Sequence, residues 1–126
     1  MIILWQTPSP SSGFLDGPAF KLLPQRVCVI SFRSEGLDGK FDEYELHFTN
    51  VCSVRVTFMY ALTEEMILSS YDKLVEVEQS SWLASTRLVR EDGKEIPTVH
   101  HLRITFDDGP CYEFLCASFD VKVRKD

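Results

Sequence analysis

No apolar run in this chain approaches the ~18 residues that a bilayer-spanning helix needs, so an embedded membrane protein is not expected. The opening residues, Met1-Ile2-Ile3-Leu4-Trp5, lack a basic flank and are too short for a secretory apolar region. With that start, a cytoplasmic location with reduced thiols is the expectation. Positive charge is in deficit: 13 Lys and Arg stand against 19 Asp and Glu, a net charge of −6, which makes a phosphate backbone an unfavourable partner. Phosphate-loop, dinucleotide-binding and nucleophile-elbow patterns are missing, and so is a stripe of basic and aromatic residues suited to single-stranded nucleic acid. No cofactor is expected, and no catalytic motif supports an enzyme.

What is present is one ordinary compact domain. The 126 residues are 44% hydrophobic and 25% charged, and at this length a single core buries roughly two-thirds of the unfolded chain's surface without help from a metal or disulfides. Residues 7 to 18 (TPSPSSGFLDGP) concentrate turn formers and three prolines, and the expectation there is an irregular loop. Ile2 to Gln6 before it suits a short edge strand.

From Arg26 onward the pattern is that of β structure. Val27 to Phe32 is β-branched and nearly unbroken in hydrophobicity, which predicts a central strand. Tyr44, Leu46 and Phe48 alternate with Glu43, Glu45 and His47, and Cys52, Val54, Val56 and Phe58 alternate with Ser53, Arg55 and Thr57. The short Thr49-Asn50 link between these two segments predicts a hairpin. Thr63 precedes two carboxylates and a short helix, Lys73 to Glu78 suits a short strand, and Ser80 or Ser81 is placed to cap a helix from Trp82 to Arg90. Glu91 to Glu95 reads as a charged turn leading to Pro97. A second hairpin pairs Leu102, Ile104 and Phe106 with Tyr112, Phe114 and Cys116 across Asp107-Asp108-Gly109-Pro110, and a further strand runs through Phe119 to Val123 after a bend at Ser118. Many strands and one or two short helices, without crossover units, predict a mainly β fold: an antiparallel sandwich or strongly curled sheet.

His100 and His101 cannot converge on one metal ion, because adjacent strand residues point to opposite faces. His47 is a lone outward residue. Cys28, Cys52, Cys111 and Cys116 have no CxxC spacing, and three of them sit in apolar strand patterns where cysteine packs as a small hydrophobe. A nucleophilic Cys111 served by His100 or His101 across the hairpin is an alternative, since paired strands lie about 5 Å apart. Asp107-Asp108-Gly109 lacks the further oxygen ligands of a calcium loop and reads as a turn.

The acidic residues are the more informative group. Glu35, Asp38, Asp42, Glu43 and Glu45 surround a single lysine, Lys40, and Glu64, Glu65, Asp72, Glu76 and Glu78 surround only Lys73, so each segment counts five negative charges against one positive. If the two segments adjoin, Asp38, Asp42, Glu43, Glu45, Glu64, Glu65, Asp72, Glu76 and Glu78 form a negative surface that steers a basic protein partner. A solvated surface that only maintains solubility is the equal alternative. Ser53, Arg55 and Thr57, with Arg103 and Thr105, suggest a polar recognition surface, and Trp5, Trp82 or Tyr112 would be the platform of a small-molecule or carbohydrate site.

The stretch from His100 to Asp108, followed by Cys111-Tyr112-Glu113-Phe114 and Ala117-Ser118-Phe119-Asp120-Val121, resembles the C-terminal end of small bacterial β-rich proteins, where a histidine, an alternating strand, an acidic turn, Tyr-Glu and a Ser-Phe strand follow in order. Tyr44 to Phe48 and Asn50 to Arg55 are similar to the strand, Asn-Val turn, strand segment of the same families. Some of these families include immunity proteins of bacterial polymorphic or contact-dependent toxin systems. The resemblance implies a non-enzymatic protein-binding module that occludes a cognate toxin domain, with the basic surface of a nuclease toxin facing the acidic segments. It carries over no functional residue, because each such protein fits its own toxin.

Overall fold

The computed structural model describes residues 1–86 and 98–125. The expected charged turn at 91 to 95, and the part of the expected helix beyond residue 86, lie outside the described residues. Among those described, nine strands form two antiparallel sheets. In chain order they are β1 (Ile2–Gln6), β2 (Asp16–Leu23), β3 (Val27–Glu35), β4 (Phe41–Thr49), β5 (Ser53–Thr57), β6 (Lys73–Glu76), β7 (His100–Thr105), β8 (Cys111–Cys116) and β9 (Ser118–Arg124). Helices α1 (Glu64–Ser70) and α2 (Ser81–Ser85) flank β6 in sequence. One sheet has the order β1-β6-β7-β8-β5 and the other β2-β3-β4-β9, the arrangement of a β-sandwich.

The period-2 alternation of β3 and β4 builds one wall of the core. Cys28, Ile30 and Phe32 share a face with Tyr44, Leu46 and Phe48, and all six are buried. Leu102, Ile104, Tyr112 and Phe114 build the opposite wall. The two walls meet closely, with the rings of Phe48 and Phe114 stacked at 3.9 Å between centroids. Phe14 caps the end of the sandwich, stacked on Phe32 at 4.4 Å, with Phe106 6.0 Å away.

Two expectations change. β4 and β5 do not form a hairpin: β4 pairs with β3 and β9, whereas β5 pairs with β8 in the other sheet. Asn50 adopts φ +50°, Val51 N–H donates to Arg26 O at 3.0 Å and Cys52 N–H to Leu115 O at 2.7 Å, so the link carries the chain from one sheet to the other. A short connection between alternating strands looks the same in sequence whether it folds back or crosses over. The stretch 7 to 18 is also less irregular than expected, with a short 3-10 turn at Ser11–Gly13 and β2 starting at Asp16. β2 can begin there because Gly17, at φ +90°, leaves no room for a side chain: a Cβ would lie 2.7 Å from Ser31 O.

Both helix starts follow the sequence. Thr63 Oγ1 accepts from Met66 N–H at 3.2 Å and Ser80 Oγ from Leu83 N–H at 3.0 Å, while α2 ends at Ser85, with Thr86 extended. Helix α1 lies against the face of β6 and β7 turned away from the core, and Trp82 of α2 meets His101 on the same face. Val75, His101, Arg103, Thr105, Cys111, Glu113 and Leu115 are buried on that face. Among the described residues, no helix is long and apolar enough to cross a membrane.

Candidate functional site

The acidic residues do not gather into one patch. Asp42 is wholly buried, because the alternation that turns Tyr44, Leu46 and Phe48 inward turns Asp42 inward as well; Lys125 Nζ reaches its Oδ2 at 3.1 Å. Glu43 and Glu45 project from the outer face of the four-stranded sheet. Glu43 sits in register with Arg33 and Arg124, and Glu45 Oε1 lies 3.1 Å from His47 Nε2, whose hydrogen bond holds the Glu45 carboxyl below its ordinary value. Asp38 closes the β3–β4 turn by accepting from Lys40 N–H at 3.0 Å.

The second segment belongs to the other sheet. Glu65 accepts from Arg103 with both oxygens at 2.9 Å, Asp72 Oδ2 accepts from Ser11 N–H at 2.9 Å, Glu76 lies 2.7 Å from His100 Nδ1 and Glu78 lies 3.2 Å from the N-terminal ammonium. Glu43 and Glu45 thus face away from Glu64 and Glu65 across the whole sandwich, and most of the nine carboxylates already have a cationic or N–H partner. The condition for one shared negative surface, that the two segments adjoin, is not met in the fold.

The histidines point apart as their adjacency requires. His100 lies opposite Cys116 and His101 opposite Leu115, whereas Cys111 is paired with Thr105. Four residues of extended strand, about 13 Å, separate His101 from the row of Cys111, so the hairpin does not bring the thiol to an imidazole. Burial also pushes the Cys111 thiol up to about 11. Among the described residues, no three His, Cys, Asp or Glu side chains are grouped to hold a metal.

Arg103 and Thr105, expected on an open polar surface, instead lie beneath α1. Glu113 Oε1 is the hub of this covered layer: His101 Nε2 lies 2.8 Å from it and Arg103 Nε 3.0 Å. His101 Nδ1 takes Ser80 Oγ at 2.6 Å, and Thr105 Oγ1 lies 2.8 Å from Ser70 Oγ. The carboxylate can only accept, so His101 donates to it through Nε2, while Nδ1 shares a hydrogen bond with the Ser80 hydroxyl. Helix α1 is tied to the sheet by the charge-assisted Glu65–Arg103 pair and by the Ser70–Thr105 hydrogen bond, and the start of α2 by the Ser80–His101 hydrogen bond. Arg55, in register with Glu113 on β5, stacks over Trp82, 4.2 Å from the ring centroid. None of the three expected platform rings is open: Trp5 packs toward Phe32, Tyr112 is buried in the core, and Trp82 is covered by Arg55 on one side with its edge on His101.

The surface that does stand open was not singled out by the sequence. Beyond β5 the chain continues as Phe58-Met59-Tyr60-Ala61-Leu62, and with the sandwich already filled these side chains remain outside. Phe58 is 70% exposed, Tyr60 97% and Leu68, on the outer side of α1, 73%. A cleft of about 250 Å³ runs between this loop and the β7–β8 turn, lined by Met59, Leu62, Ile67, Tyr71, Asp107 and Asp108. Gly109 sets its depth, since a Cβ there would approach Met59 N to 3.1 Å. From Val56 to Asp72 there are three carboxylates and no Lys or Arg. The result is an apolar ridge beside acidic groups, with Glu64 exposed at the start of α1. The signal was the unbroken apolar run past the end of a strand.

No family model matches the chain, and neither a curated protein nor a solved structure matches it.

Proposed function

We propose that the protein is a non-enzymatic binding module for a basic protein partner, of the immunity type that neutralises a bacterial toxin domain by covering it. The observation that carries this reading is the exposure of Phe58, Met59, Tyr60 and Leu68, on the two segments that wall the cleft lined by Met59, Ile67, Asp107 and Asp108. Exposed aromatic side chains on a segment that carries three carboxylates and no Lys or Arg from Val56 to Asp72 suit a partner that presents an apolar socket ringed by Lys or Arg. The apolar groups supply contact energy, and the carboxylates supply steering and register. The resemblance of residues 100 to 121 to small bacterial β-rich proteins agrees with this reading, as does the net charge of −6.

Affinity capture from the native host, followed by a high-salt wash, tests it. One toxin-like domain is expected in near-equal amount. With that domain purified, changing Tyr60 and Leu68 together to Ser should weaken binding at least about tenfold, while Glu43→Lys on the opposite face should not. A domain that binds the double variant as tightly as the wild type, or no retained protein at all, overturns the proposal.

A further inference from the structure

A second cleft opens at the end of the sandwich where β8 hands over to β9. It has a volume of about 260 Å³, with Leu4, Leu102 and Phe119 as apolar walls and Glu76, His100 and Ser118 at its rim. Leu4 and Leu102 lie on the inner faces of β1 and β7, and Phe119 comes from the other sheet, so the cleft is an extension of the core left open to solvent. Pockets for drug-sized ligands begin at roughly 300 Å³, which sizes this one for a single ring with a short chain.

The rim decides what such a ligand must carry. Glu76 Oε2 and His100 Nδ1 are 2.7 Å apart, and both side chains are partly exposed, 28% and 38%. A carboxylate accepts only, so Nδ1 is the donor, and Nε2 is an acceptor in the neutral form of the imidazole. Glu76 Oε1 is a second acceptor beside it. Both acceptors stand beside apolar walls, and among the described residues no Lys or Arg lines the cleft. We infer that this cleft binds a small primary amine bearing an aromatic or short apolar group, its ammonium donating to Glu76 Oε1 and His100 Nε2 and its apolar part lying between Leu4, Leu102 and Phe119. A carboxylate ligand would meet the Glu76 charge, and an alcohol would leave that charge unpaired; the preference for a cation follows. The half-open rim keeps desolvation of the ammonium small, and a ligand of this size should bind with a dissociation constant on the order of 0.1–1 mM. The site shares no residue with the apolar ridge and does not depend on the proposed partner.

Titration of the full chain with 2-phenylethylamine, 2-phenylethanol and phenylacetate, followed by amide NMR shifts, tests the assignment. Saturable shifts at residues 76, 100 and 117 to 119 are expected with the amine, about tenfold weaker with the alcohol and none with the acid. Glu76→Gln should bring the amine down to the level of the alcohol, and Ala117→Leu, which narrows the cleft but keeps both rim groups, should weaken amine and alcohol alike. Equal binding of amine and acid, shifts centred elsewhere, no saturation with the amine, or undiminished amine binding by a folded Glu76→Gln variant would each overturn the inference.

Discussion

Glu113 and His101, diagonal neighbours on β8 and β7, meet at 2.8 Å on the covered face of the five-stranded sheet, and the same carboxylate oxygen also takes Arg103 at 3.0 Å. Glu113 is 1% exposed and Arg103 7%, so the pair is buried charge held by its partners. Removing one member of such a pair strands the other. Glu113→Gln should therefore lower stability by about 3–5 kcal/mol, whereas Glu65→Gln, at the 58%-exposed end of the same network, should cost about 0–1 kcal/mol. Urea denaturation of the two variants gives the ranking, and a reversed order would refute this account of the layer.

The pH dependence follows from the same carboxyl. Burial pushes Glu113 up, but hydrogen bonds from His101 and Arg103, with the charge of Arg103, outweigh it and hold the group below its ordinary value of 4.5. A depressed carboxyl contributes stability that is full above the unfolded value and is lost as pH falls below it, through the folded value. Stability measured from neutral pH downward should decline below about pH 4.5, and Glu113→Gln should flatten that decline. An acid limb identical in the variant would place the responsible group elsewhere.

Thiol chemistry should separate the cysteines by burial. Cys52 is exposed, while burial pushes Cys111 up to about 11 and Cys116 to about 12, and raises Cys28 as well. Brief treatment of the native protein with iodoacetamide should modify Cys52 alone, and the other three should react only after unfolding. Prior labelling of Cys111 would restore the nucleophile alternative.

Gly109 and Gly13 provide a matched pair. Gly109 sits at φ +73° against the backbone of Met59, and Gly13 has open space around it. Gly109→Ala should cost about 1 kcal/mol or more, through a left-handed conformation that an L side chain rarely adopts and through contact with the 58–62 loop. Gly13→Ala should lie within about 0.5 kcal/mol of wild type. Thermal melts of both suffice, and equal melting temperatures would mean that the turn relaxes away from the loop.

Asp42 and Glu64 were read alike from sequence, yet only one of them is on the surface. Asp42→Lys places a second cation beside Lys125 on the inward face of β4 and should prevent folding; Glu64→Lys should leave stability within about 0.5 kcal/mol. Circular dichroism of the two proteins distinguishes them, and a folded Asp42→Lys variant would show that the site admits solvent.

Local patterns carried most of the elements. The alternation of Tyr44, Leu46 and Phe48, the turn at Asp107 to Pro110, the caps at Thr63 and Ser80 and the opposed directions of His100 and His101 each depend on a residue and its near neighbours, and the folded chain agrees with them. The inward position of Asp42 follows from the same alternation that buries Tyr44, against the usual preference of a charged side chain for the surface. The mainly β class needed no more than these repeats and the shortage of helical ones.

What the sequence by itself determined is thus the strands, their buried sides and the turn chemistry, because φ, ψ and side-chain direction are set within a few residues. Tertiary structure alone decided which sheet each strand joins, since Thr49-Asn50 is equally fit to fold back or to cross over and only the acceptors on Arg26 and Leu115 choose. It also decided that Arg103 and Thr105 lie under a helix, that the two acidic segments face opposite ways, and that the run from Phe58 to Leu62 stays outside. Exposure depends on what packs above a face, and those partners lie far away in the chain.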